Sequence, residues 1–202
     1  MRHRSILLLV LFSEVMCGLG WAKIETGPNE QVMVLVFNKA GVKSTVLIEA
    51  EHQAVIIFRR ANIDITWLNC SSLPDKTNPV CSETQGPNQF VMNLVDRSHQ
   101  GTSDVFGIAF LGEDGTGNYA DIFFDQITRF HQESGAKESN ILGAVSAHEL
   151  GHLLLGLHAH SAWGVMTPHW EQSHLRLIAM GNLSFTPEQA SIIRGRIANL
   201  RR

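Results

Sequence analysis

The stretch AHELGHLLLGLHAHSAWGVM, residues 147–166, is the one around which the rest of the chain is organised. His148 and His152 stand four positions apart, so on a helix turning roughly 100° per residue both imidazoles leave one face, about a turn apart. Two imidazoles so placed suit a zinc ion. Glu149 follows the first of them and projects toward a water at that metal instead of acting as a ligand, the pattern HExxH uses for metal-assisted hydrolysis. The helix that carries them, read from Ile141 to Leu155, is apolar on most sides apart from these three residues, which marks it as buried. A lone buried histidine is more often a satisfied core residue than a ligand. Six of the ten histidines, however, fall after residue 147: His148, His152, His158, His160, His169 and His174. That clustering favours the metal site.

Reading outward from this helix, Gln31 to Phe37 (QVMVLVF) is a β-branched apolar run and reads as a buried first strand. From Lys43 or Ser44 to about Ala61, apolar residues recur at helical spacing, which predicts an amphipathic helix covering a sheet. Ile63 to Asn69 alternates as a second strand, and strand, helix, strand places the two strands parallel. Further strands are expected at Gln89 to Val95, Phe106 to Leu111 and Tyr119 to Ile127. Gly107 suits either a bulge or a place where another part of the chain comes close. His131 to Ser139 is polar and reads as a loop or short helical turn, with Ser139 or Asn140 able to cap the helix after it. Thr186, Pro187 and Gln189 start a last helix with a capping box. The fold class is therefore α/β (α+β), a single domain.

The N-terminus carries its own pattern. Arg2 and Arg4 precede an apolar run from Ile6 to Phe12, and Gly20-Trp21-Ala22 offers small residues where a signal peptidase reads, so residues 1–22 are expected to be a cleaved signal peptide and residues 23–202 the exported domain. The mature protein is expected to be secreted or periplasmic, monomeric, and without stable membrane insertion, since no later segment is long and apolar enough to span a bilayer. Setting Cys17 aside with the signal peptide leaves Cys70 and Cys81, an even pair that suggests one disulfide in an oxidising compartment. Removing Arg2, Arg4 and Glu14 from the 16 basic and 19 acidic side chains leaves a formal net charge of −4, and no basic patch is interleaved with aromatics, so nucleic acid is not an expected partner. Asn69-Cys70-Ser71 and Asn182-Leu183-Ser184 fit the glycosylation sequon, which matters only in a eukaryotic secretory pathway.

These residues resemble the metzincin zinc peptidases, and among them the matrix-metalloproteinase-like branch, whose pattern is HExxHxxGxxH followed by a turn carrying a methionine beneath the metal. Here His148, Glu149, His152, a glycine, a further histidine and Met166 in Gly164-Val165-Met166 follow that order. Pro168 resembles the proline that helps wall the specificity pocket in matrix metalloproteinases. The resemblance implies a twisted mixed sheet with a covering helix, an active-site helix, a methionine turn and a C-terminal helix. It also implies Zn2+ as the cofactor. One departure matters: the family's glycine position is Leu155, and the glycine comes one residue later, at Gly156. The helix can therefore run one residue longer before turning at a left-handed glycine, rotating its end by about 100°. His158 keeps the family distance from His148, whereas His160 lies four beyond the glycine and is followed by Ser161, as the family's third histidine commonly is. Both stand as candidates for the third ligand, with His160 favoured because the turn, not the residue count, delivers the side chain.

The function so implied is a secreted zinc-dependent endopeptidase with Glu149 as general base, its peptide or protein substrate extended along a strand edge, for which Phe106 to Leu111 is the candidate. Trp163 and Trp170 are candidates for the pocket or for ordinary burial. A non-catalytic exported binding module with the same fold is the alternative from another class. A gluzincin-type hydrolase, with Glu171 or Glu188 as a distant ligand, is the alternative for the metal shell.

Overall fold

The computed structural model describes residues 30–70, 79–81, 86, 88–96, 105–170 and 172–200. The expected signal peptide, Ser71 and Glu171 lie outside the described residues. Strand β1 (Glu30–Asn38) leads into helix α1 (Ser44–Arg59), which returns to β2 (Ile63–Cys70). Strands β3 (Gln89–Val95), β4 (Gly107–Phe110) and β5 (Tyr119–Phe123) follow, then helices α2 (Phe124–Ser134), α3 (Glu138–Leu155), α4 (Gln172–Ala179) and α5 (Pro187–Leu200). The sheet order is β2-β1-β3-β5-β4. The pairs β1/β2, β1/β3 and β3/β5 are parallel, and β4 lies antiparallel to β5 at an edge.

Alternation along the strands divides the core. Val32, Val34, Val36, Ile63, Phe90, Met92, Leu94, Ala120 and Ile122 belong to the main core with α1 and α3, while Leu35, Cys70 and Val91 form a smaller cluster. Burial on both faces explains why β1 reads as a continuous apolar run. Helices α1 and α3 cross closely at Gly143, where a Cβ would stand 2.5 Å from the Ala50 carbonyl oxygen and 2.7 Å from Gln53 Cβ. Cys70 and Cys81 form a disulfide with their Cα atoms 5.6 Å apart. At the start of α5, the Thr186 N–H donates to Gln189 Oε1 (3.0 Å) and the Gln189 N–H to Thr186 Oγ1 (3.2 Å), the reciprocal cap expected from the sequence.

Three expectations are corrected. The strand expected to reach Ile127 ends at Phe123, and the chain turns at once into α2, which runs to Ser134 and so into the stretch read as a loop or short helical turn. Phe124, Ile127 and Phe130, three apart, face the core, so a helical period was hidden behind the apolar run YADIFF. Helix α3 begins at Glu138, with Lys137 in the capping position and no side-chain cap; Ser139 is buried within its first turn. Helix α4 was not anticipated, because Leu175 and Ile178, with half-buried Leu177 beside them, are all that anchors its eight residues in the apolar core.

Candidate metal and catalytic centre

Helix α3 carries His148 and His152 out of one face, and the loop after it brings back His160. The His148 and His160 Nε2 atoms each lie 3.1 Å from His152 Nε2, and the three are the one group of potential metal ligands among the described residues. A tetrahedral zinc with nitrogens at 2.0–2.1 Å sets those nitrogens about 3.3 Å apart, so the spacing fits. The tautomer fits too. His148 Nδ1 lies 2.8 Å from the Val165 carbonyl oxygen, which takes the N–H there and leaves Nε2 with its lone pair. Burial pushes His148 down to about 4 and His152 down to about 3, and burial also lowers His160, so all three are neutral at pH 7. Three neutral imidazoles meeting at one point cannot satisfy one another by hydrogen bonds, since each Nε2 offers either a proton or a lone pair. A cation satisfies all three.

The turn at Gly156 explains which histidine returns. Helix α3 runs to Leu155, and Gly156 ends it at φ 81° and ψ −153°, an extended mirror-image conformation in place of the left-handed helical one expected. A Cβ there would also lie 2.9 Å from the Gly115 carbonyl oxygen. His158 then takes a left-handed turn conformation, φ 61°, with its side chain exposed and outside the group. Ser161 follows His160 and its N–H donates to the Met166 carbonyl (3.0 Å), tying the loop to the methionine turn.

Met166 is fully buried beneath α3. Its sulfur occupies the place that a Cβ on Gly151 would take, so the glycine between the two histidines is what lets the thioether pass under the helix. Gly164 has φ 88°, and a Cβ on it would meet the Ser184 carbonyl at 2.6 Å, the same carbonyl that accepts the Val165 N–H.

Glu149 is 5% exposed, and burial raises its carboxyl to about 8 against the opposing effect of the Ala109 backbone N–H that hydrogen-bonds to it. A dication held by the histidines would pull that value down. What comes close at Gly107 is this side chain: a Cβ there would lie 2.7 Å from Glu149 Cγ and 2.9 Å from the Asp121 carbonyl. Edge strand β4 thus lies directly across the carboxylate.

The three histidines and Glu149 open into a cleft of about 760 Å³. Pro168 and Trp170 line it; Trp170 stacks on Phe106 at 5.8 Å and meets the His148 ring edge-on at 6.2 Å. Trp163 is exposed and lies elsewhere. Glu188 is exposed in the first turn of α5 and outside the histidine group. Sequence reasoning missed Gly151 and the contribution of α2, Arg129, Phe130 and Glu133, to the cleft wall. Gly151 could have been read from its place between two candidate ligands; α2 could not, because its residues read as a strand end followed by a loop or short helical turn.

No protein-family model matches the chain, and no curated protein matches it. Among solved structures the chain is similar to archaemetzincin from Methanopyrus kandleri, with a TM-score of 0.51 and 14% identity, over 86% of this chain and 99% of that one. At that identity the likeness concerns the fold, which is metzincin-like.

Proposed function

We propose that the protein is an exported zinc-dependent endopeptidase, related in its site to the matrix-metalloproteinase-like branch of the metzincins. The observation that carries this reading is the convergence of three neutral imidazole Nε2 atoms beside one buried carboxyl, on a metzincin-like fold.

His148, His152 and His160 would hold the zinc, with His148 oriented by Val165 and with Met166 as the floor. The chemistry a bound zinc supplies is polarisation of the scissile carbonyl and acidification of water toward a pKa of about 7. Glu149 accepts the proton of the attacking water and returns it to the leaving amine. Its enclosure by β4 keeps bulk water off the carboxylate, and the Ala109 N–H fixes its direction. Among the described residues β4 pairs only with β5, so a peptide can add to its outer edge by main-chain hydrogen bonds, with Pro168 beside the side-chain pocket. Export is supported by the Cys70–Cys81 disulfide, and no helix of the described residues is long and apolar enough to cross a membrane.

The test is cleavage of an unstructured protein by the purified mature chain, abolished by a chelator and restored by zinc. Glu149→Gln should retain zinc and lose turnover by several orders of magnitude; equal activity would overturn the mechanism. Zinc binding without cleavage of any unstructured substrate would identify a non-catalytic binding module instead.

A further inference from the structure

The segment that follows the methionine turn borders the cleft between two anchored points. Thr167 is buried, and its N–H and hydroxyl both donate to the Gly164 carbonyl oxygen, at 3.3 and 2.9 Å. Trp170 is packed on Phe106 and meets the His148 ring edge-on. Between them Pro168 and His169 are exposed, and the proline ring fixes its own φ. His169 lines the main cleft and also a second hollow of about 530 Å³, whose wall it shares with His160, Thr167 and Pro168. It therefore borders both hollows beside the third candidate ligand. His160 is sensitive to it there: burial, and after it the neighbouring imidazole of His169, lowers that histidine. The His169 side chain has no hydrogen-bond or ion-pair partner among the described residues.

We infer that His169 is a further catalytic residue, whose ring N–H donates a hydrogen bond to the oxyanion that forms at the scissile carbonyl when water attacks. The inference rests on the peptidase reading above. As the water oxygen bonds to the carbonyl carbon, the π pair of C=O moves onto the carbonyl oxygen and Glu149 takes the proton of the water. The charge on that oxygen peaks along the reaction, so a donor aimed at it stabilises the transition state more than the bound substrate. No proton leaves His169. When the C–N bond breaks, the electron pair returns to the carbonyl, and the proton held by Glu149 goes to the amine. A neutral imidazole carries one N–H and an imidazolium two, so donation requires no particular charge state. The other polar donors on the cleft wall are committed: the Thr167 hydroxyl to the Gly164 carbonyl, and Arg129 to Glu133 on α2. Trp170 turns its ring face to Phe106. His169 is thus an unspent donor on a backbone held at both ends, the placement that such a group needs.

The experiment measures steady-state cleavage of one peptide, zinc affinity by competition with a chelator, and equilibrium binding of two probes. One probe is the intact peptide, bound to the Glu149→Gln full chain; the other is its phosphinic pseudopeptide, with a tetrahedral phosphinate in place of the scissile amide, bound to the zinc-loaded protein. His169→Ala should lower kcat about 100-fold with KM nearly unchanged, the usual loss when one oxyanion donor is removed. Its affinity for the phosphinic probe should fall in step. The intact peptide should bind equally to the Glu149→Gln chain with and without His169→Ala, and zinc affinity should stay as in the unaltered protein. His169→Gln, which keeps an N–H at about the reach of Nε2, should recover most of both losses. An unchanged kcat, a rise in KM at constant kcat, zinc loss in His169→Ala, or equal losses in the alanine and glutamine variants overturns the assignment. Cleavage indifferent to His169→Ala leaves the peptidase reading standing without this donor. A protein that cleaves no peptide loses that reading; weaker phosphinate binding by His169→Ala then keeps the site as a receptor for a tetrahedral anion, and equal binding removes both.

Discussion

The Val165 carbonyl oxygen accepts the Nδ1–H of His148 at 2.8 Å, and the Val165 N–H donates to the Ser184 carbonyl at 2.9 Å. One peptide segment therefore transmits the position of the chain before α5 to the tautomer of the first candidate ligand. Gly164 precedes it at φ 88°, with no room for a Cβ against Ser184. Gly164→Ala should displace this carbonyl and weaken zinc affinity by about 10–100-fold, the usual cost of losing such a partner. Competition with a calibrated chelator measures this. Affinity equal to the unaltered protein in a folded variant would refute the link.

Gly151 and Met166 make a second such pair, here through packing. Gly151→Ala places a methyl group where the Met166 sulfur lies and 3.0 Å from Phe185 Cε1, so it should destabilise by about 1–3 kcal/mol through overpacking, despite alanine's better helix propensity. Met166→Ala opens a cavity in its own right. The double variant should cost less than the sum of the two, because the alanine methyl group then fills vacated space. Denaturant unfolding of the four proteins decides; strict additivity would show that the two residues do not meet.

How much of this could be read from the residues follows the range of the interactions. The sheet strands and α1 were legible because a period of 2 or 3.6 is written locally in β-branched and apolar residues. His148, Glu149 and His152 were legible because helix geometry alone puts them together. His160 was favoured on the argument that the turn delivers the side chain, and the conformation at Gly156 shows how, but the φ 61° at His158 that swings it outward is not encoded in any short motif. The start of α2 is hidden because Phe124 and Ile127 continue the apolar residues of Tyr119 to Phe123, and only the tertiary placement of Ile127 and Phe130 separates strand from helix. With it went the whole α2 wall of the cleft.

Gly107 is where β4 rests on Glu149. A methyl group there would stand 2.7 Å from Glu149 Cγ and 2.9 Å from the Asp121 carbonyl, so either the side chain or the edge strand must shift. Gly107→Ala should lower kcat by about 10–100-fold, the penalty of roughly 1 Å of misplacement of a reacting group. Zinc content should stay at that of the unaltered protein, because the atoms nearest to a methyl group at 107 belong to Glu149 and Asp121 and not to the histidines. Loss of zinc together with activity would show a general collapse of the site, and full activity would show that the carboxylate position is not set by β4.

Stability of the metal-free protein should depend on pH with a maximum near 6.5. Glu149 is raised to about 8 from 4.5, so its neutral form is favoured by the fold; the stability tied to it is fully present below pH 4.5 and is lost as pH rises toward 8. His148 and His152 are lowered to about 4 and about 3 from 6.5, so their contribution is present above 6.5 and lost as pH falls through those values. Between 4.5 and 6.5 these two histidines, with His160 lowered in the same sense, oppose one carboxyl, and the histidines win. Above 6.5 only Glu149 acts, and stability should fall by about 1.4 kcal/mol per pH unit until it ionises. Thermal unfolding of the chelated protein across this range checks the maximum. Glu149→Gln should abolish the fall above 6.5 and leave the acid limb; a fall that persists in that variant would place its origin in another group.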